Sequence, residues 1–65
     1  MKNNLKSKRQ SLNLTQKQVA SSLNIAESAY QRYERGDVTP TVYFAIKLAK
    51  VLNTTVEELF PLEKE

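Results

Sequence analysis

Cysteine and histidine are both absent from this 65-residue sequence. Without cysteine there is neither a disulfide framework nor a thiolate metal site. Without histidine the commonest general base and the commonest zinc ligand are missing. No stretch approaches the ~20 apolar residues that a membrane-spanning helix needs. The segment Met1-Lys2-Asn3-Asn4 leads into charged residues rather than the apolar core of a secretion signal. These absences point to a soluble, cytoplasmic protein with no metal and no cofactor, and 65 residues leave no room for a ligand-sensing domain, so no small-molecule ligand is expected. What carboxylates and lysines remain are not spaced as a paired acid/base site, so an enzyme is not expected.

The length suits one small domain, with a core over about residues 5–60 and a tail at 61–65. A domain of this size hides only about 60% of the surface its unfolded chain exposes. Well-packed helices, and a second copy of the chain, are the remaining sources of stability.

Charge is unevenly placed. Residues 1–35 carry seven Lys/Arg against two Glu, whereas residues 36–65 carry three Lys against five carboxylates. A basic half and an acidic half suit a molecule that turns one side towards a polyanion.

With a single glycine in the chain, something else must end the helices. Asparagine is the best substitute, because its short side chain tolerates the left-handed conformation common at helix C-termini. Asn13, Asn24 and Asn53 each follow an apolar helical segment, and Gly36 follows a fourth. The spacing therefore predicts an all-α chain of five short helices and no strand. The first is expected from about Asn4 to Leu12, with Leu5, Arg9 and Leu12 on one face. Thr15 caps the second, with Gln18 completing a capping box; Val19, Ala20 and Leu23 form its inner face. The third runs from about Glu27 to Arg35, with Ala29, Tyr30 and Tyr33 inward. The fourth follows Pro40 and buries Val42, Ala45, Ile46, Leu48, Ala49 and Leu52. Thr55 and Glu58 form a second capping box ahead of a short fifth helix carrying Val56, Leu59 and Phe60, which Pro61 stops. Tyr30, Tyr33 and Phe60 fall on apolar stripes and read as core; of Tyr43 and Phe44, one is expected at the surface or in a dimer contact.

Gln16–Leu23 and Glu27–Arg35 are two short helices separated by a tight turn, a helix-turn-helix pattern. Ala20 is small where they must cross, Asn24 takes the turn position needing a positive φ, and Ile25 plugs the gap. The segments Leu14-Thr15-Gln16, Val19-Ala20, Leu23-Asn24-Ile25, Tyr30, Tyr33-Glu34-Arg35-Gly36, Pro40, Leu48-Ala49-Lys50-Val51-Leu52 and Val56-Glu57-Glu58-Leu59-Phe60 together resemble the Cro/lambda-repressor (Xre-type) family. The resemblance covers about residues 5 to 60. It implies a five-helix domain that docks its third helix in the DNA major groove, usually as a symmetric dimer. Two positions depart from the pattern. Ala26 stands where a Ser or Thr usually caps the third helix, a loss of about 1 kcal/mol that Glu27 offsets in part. Lys8 stands where leucine is frequent, its stem covering the core edge.

On the third helix, the face opposite Tyr30 and Tyr33 carries Glu27, Ser28, Gln31 and Arg32. In a major groove, Arg32 suits guanine O6 and N7, Glu27 suits cytosine N4, and Gln31 suits adenine N6 and N7. Any surface helix has a polar face; the surrounding motif is what turns this one into a candidate reading surface. Phosphate contacts are expected from Gln16 and Lys17, at a helix start with free N–H groups, and from Arg35, Thr39 and Thr41. Arg9 and Glu34 match a family pair that bridges the first and third helices, a structural salt bridge. Leu59, Phe60, Pro61 and Leu62 are the expected homodimer surface, apolar residues with little left to cover them. The function so implied is a sequence-specific transcriptional regulator, a repressor of a phage, plasmid or small bacterial operon, binding double-stranded DNA at an inverted repeat. The competing reading is a protein-interaction module that pairs with a larger regulator without touching DNA; Glu27, negative where phosphates would lie, favours it.

Overall fold

A computed structural model describes residues 3–62 and contains five helices in that span: α1 (Leu5–Ser11), α2 (Gln16–Ser22), α3 (Glu27–Arg35), α4 (Val42–Val51) and α5 (Val56–Leu59). No strand occurs among the described residues. Four of the helices close in the same way. Asn13, Asn24 and Asn53 take φ of 58°, 59° and 54°, and Gly36 takes 79°. After each, the chain doubles back so that two N–H groups reach the last turn of the helix. Leu14 N–H donates to Arg9 O and Asn13 N–H to Gln10 O; Ile25 N–H reaches Ala20 O, Asp37 N–H Arg32 O, and Thr54 N–H Ala49 O. These are Schellman closures, in which a left-handed residue satisfies carbonyls the helix leaves open. The asparagine punctuation of the sequence is thus the punctuation of the fold.

The N-termini are less uniform. Thr15 accepts from Gln18 N–H while the Gln18 side chain accepts from Thr15 N–H, a complete capping box. Thr41 caps α4 through Phe44 N–H and Thr55 caps α5 through Glu58 N–H. The second expected capping box is only half formed: the Glu58 carboxylate accepts from the Thr55 hydroxyl at 3.5 Å instead of from its N–H. Ala26 offers α3 no side-chain cap, and Glu27 stands in its first turn.

The core is built from Leu5, Val19, Tyr30, Leu48, Leu52 and Leu59, all fully buried. Ala20 is nearly so, at the point where α2 meets α3, and Ile25, half-buried, packs against the same cluster. Tyr33 is half-buried against Phe44, with ring centroids 5.3 Å apart and planes tilted by 30°, and Phe60 is half-buried too. Three expected core positions lie outside. Leu12 is 40% exposed because α1 has already ended at Ser11 and Leu12 is its C-cap. Val42 is 79% and Ile46 44% exposed. The buried stripe of α4 is narrow, made of Ala45, Leu48, Ala49 and Leu52; Ile46 is turned about 100° from Ala45 on a helix of 3.6 residues per turn, and Val42 sits one turn beyond the end of the core. Ala29, expected inward, is half-buried.

The N-terminal segment is tied to both ends of the chain's packing. Asn3 donates its side-chain amide to Tyr33 O at 2.8 Å. Asn4 donates its side-chain amide to Glu58 O at 2.8 Å and its backbone N–H to Leu59 O at 2.8 Å.

Candidate nucleic-acid interface

The α2–turn–α3 unit places the second helix of the pair with one face in the core and the other in solvent. Tyr30 fills the inner face; Glu27, Ser28 and Arg32 are exposed and Gln31 is half-buried on the outer one. The spacing of 27, 28, 31 and 32 puts all four on one side of a 3.6-residue helix. Arg32 enters no ion pair among the described residues; the pairs found there are Arg9–Glu34 and Arg35–Asp37.

Arg9 and Glu34 form the anchor beneath this surface. Arg9 Nε lies 2.6 Å from Glu34 Oε2, with both side chains largely buried. A further guanidinium nitrogen of Arg9 donates to Leu14 O at 2.8 Å, so the pair also fixes the turn between α1 and α2. Burial acts to raise the Glu34 carboxyl, but hydrogen bonds from Arg9 and Gln16 overcome it and hold the group below its ordinary value. Hydrogen bonding to Glu34 in turn raises the Arg9 guanidinium. The Tyr30 hydroxyl is buried beside this pair without a well-formed hydrogen bond to either member. Its burial, with the neighbouring carboxylate, pushes the phenol well above its ordinary value.

The residues expected to meet phosphates fall into three situations. Lys17, Thr39 and Thr41 are exposed, although the Thr41 hydroxyl already accepts the cap bond of α4. Arg35 is exposed and paired with Asp37 at 3.1 Å, a surface contact worth roughly 0–1 kcal/mol and easily exchanged. Gln16 is half-buried and engaged on both sides: its Nε2 donates to Glu34 Oε1 at 3.0 Å, and its Oε1 accepts from Gln31 Nε2 at 3.2 Å. Sequence reasoning placed Gln16 at the helix start but missed this bridge, since nothing in the spacing of residues 16, 31 and 34 reveals that α2 and α3 bring them side by side.

Leu59 is fully buried in its own core, so of the four residues expected at a dimer surface it supports from beneath. Phe60 is half-buried, Pro61 is exposed, and Leu62 is 91% exposed. Beside them an apolar groove is lined by Thr39, Pro40, Val42, Ala45, Val56 and Phe60. The exposed Val42 and Ile46 extend this apolar surface along α4. Tyr43 is the exposed member of the Tyr43–Phe44 pair, with the Lys47 ammonium 5.1 Å from its ring centre.

A fold of five helices with α2 and α3 crossing at a small residue, and an outward polar face on α3, defines a helix-turn-helix protein. A model of the helix-turn-helix family matches residues 5–59, and the chain belongs to that family, of the Cro/C1 type. It is 34% identical over 59 residues to the cryptic phage CTXphi transcriptional repressor RstR of Vibrio cholerae, covering 91% of this chain and 53% of the relative. The chain thus spans about half the length of that repressor. An uncharacterized HTH-type transcriptional regulator of Methanocaldococcus jannaschii is 34% identical over 65 residues, covering 100% of this chain and 98% of its own. Another, YgzD of Bacillus subtilis, is 28% identical over 65 residues, covering 100% and 98%. The relatives are named as transcriptional regulators, not enzymes. No helix among the described residues is long and apolar enough to cross a membrane.

Proposed function

We propose that this chain is a cytoplasmic, sequence-specific regulator of transcription that acts as a homodimer and reads double-stranded DNA with α3 in the major groove. The observation that carries this reading is the outer face of α3, where Arg32 stands exposed and unpaired beside Glu27, Ser28 and Gln31 on a helix anchored from below. Arg32 recognises guanine, and Gln31 and Glu27 select adenine and cytosine at neighbouring pairs. Lys17, Arg35 and Thr39 meet the flanking phosphates and set position and salt dependence. A symmetric pair brought together through Phe60, Pro61, Leu62 and the adjoining groove would present two copies of α3 about 34 Å apart, one turn of the double helix. The operator is then an inverted repeat, and the named repressor among the relatives favours repression, in a phage, plasmid or small operon.

Selection of bound duplexes from a random pool tests this directly. An inverted repeat should emerge, with the preference at one position per half-site lost in Arg32→Ala. If wild type and variant show the same weak, unselective binding, the DNA reading fails. The exposed carboxylate of Glu27 at the tip of α3 would then favour a module that pairs with a larger regulator.

A further inference from the structure

Three hydrogen bonds run in series from the core to the reading face. Arg9 holds Glu34; Glu34 Oε1 receives Gln16 Nε2 at 3.0 Å; Gln16 Oε1 receives Gln31 Nε2 at 3.2 Å. The direction of this series is not arbitrary. A side-chain amide carries donors at one end and an acceptor at the other, and by itself can sit either way round. An ionised carboxylate only accepts, and Glu34 is held ionised by Arg9. Gln16 must therefore turn its NH2 towards Glu34, which leaves its oxygen towards Gln31. Gln31 must in turn spend one N–H on Gln16. Its remaining groups are then fixed: Oε1, which has no hydrogen-bond partner among the described residues, and one further N–H.

We infer that Gln16 is a positioning residue that, through the donor–acceptor order imposed by Glu34, sets the amide of Gln31 so that one oxygen and one N–H face a base. That is the pair an adenine edge demands, an acceptor for N6–H and a donor for N7. Gln31 so held loses less side-chain freedom on binding than a free glutamine would. Gln16 thereby affects sequence preference, in addition to any contact it makes with phosphate. This rests on the proposed DNA reading for its consequence, but the positioning itself is a property of the free protein.

Two readouts test it separately. In the free, isotope-labelled protein, the side-chain amide protons of Gln31 should be dispersed and exchange-protected. Gln16→Ala should move them to unstructured values. So should Gln16→Leu, which keeps the bulk but offers Gln31 no acceptor; the second substitution covers the case in which the first fails to fold. On DNA, Gln16→Ala should erase about a tenfold preference for adenine at one position per half-site. Gln31→Ala should erase the same preference, and the double variant should lose no more than either single one. The inference is overturned if the Gln31 amide signals do not move. It is equally overturned if Gln16→Ala weakens every sequence alike and leaves discrimination intact, the signature of a phosphate contact alone. If wild type shows no sequence preference at all, the DNA reading falls, and the amide signals still decide the positioning.

Discussion

Glu34 accepts from Arg9 across 25 residues of sequence, at 2.6 Å, in the wall between α1 and α3. Both side chains are largely buried there, which makes the contact very different from a surface ion pair. Removing one partner strands a charge, whereas removing both leaves an apolar site that can repack. Arg9→Ala or Glu34→Ala should therefore destabilise the domain by about 3–5 kcal/mol, read as a lower urea midpoint. The paired Arg9→Met, Glu34→Leu variant should recover most of that loss. Equal stability of single and paired variants would show that the ion pair is not buried in solution.

The same pair gives stability a pH dependence of definite sign. In the unfolded chain Glu34 binds its proton near the ordinary 4.5; in the fold it does so only at lower pH. Between those values the unfolded chain holds more protons, so acid favours unfolding. The contribution of Glu34 is complete above the ordinary value and is lost as pH falls through the folded one. Urea midpoints should hold from neutral pH to near 4.5 as far as Glu34 is concerned and decline below it, and the decline should be shallower in Glu34→Gln.

Ala26 is a place where the sequence leaves stability unused. Its backbone, at φ −69° and ψ 147°, is already that of an N-cap, yet no side chain accepts from the first turn of α3. Ala26→Ser should add about 1 kcal/mol, which in a domain of this size raises Tm by about 4–8 °C. Calorimetry would measure it. No gain would mean that the first turn of α3 is frayed in solution.

Asn24 should respond oppositely to two small substitutions. Its φ of 59° suits glycine and penalises a Cβ without a polar group. Asn24→Ala should cost about 1 kcal/mol or more, while Asn24→Gly should stay close to wild type. Thermal unfolding of both variants checks the order. If Ala proves the better of the two, the turn between α2 and α3 is not left-handed.

Much of this architecture is visible in one dimension because its decisive signals are local. Threonine caps and left-handed asparagines act within a few residues, so helix number, the ends of α3 and the α2–α3 turn follow from pattern alone. The Arg9–Glu34 bridge was legible only through resemblance to a family. What stayed hidden depends on contacts between distant segments. Asn3 and Asn4 carry no mark of the carbonyls they reach at Tyr33, Glu58 and Leu59. Val42 and Ile46 look like core by spacing, and only the narrowness of the α4 contact leaves them outside. Gln16 reads as a free helix start until α3 is laid beside it.

The bond between Asn4 N–H and Leu59 O closes the chain into a loop of nearly its whole length. Most other contacts join neighbouring helices and can form quickly, but this one must wait until the ends meet. A helix of four residues such as α5 cannot persist alone in water, so its order depends on its packing against α4 and on that late closure. It is accordingly the segment expected to open first under native conditions, with the earliest amide exchange among the helices. Because Phe60, Pro61 and Leu62 follow directly from it, a second copy seated on them would hold the loop shut. Association and the final step of folding would then be one equilibrium, with the apparent stability rising with protein concentration.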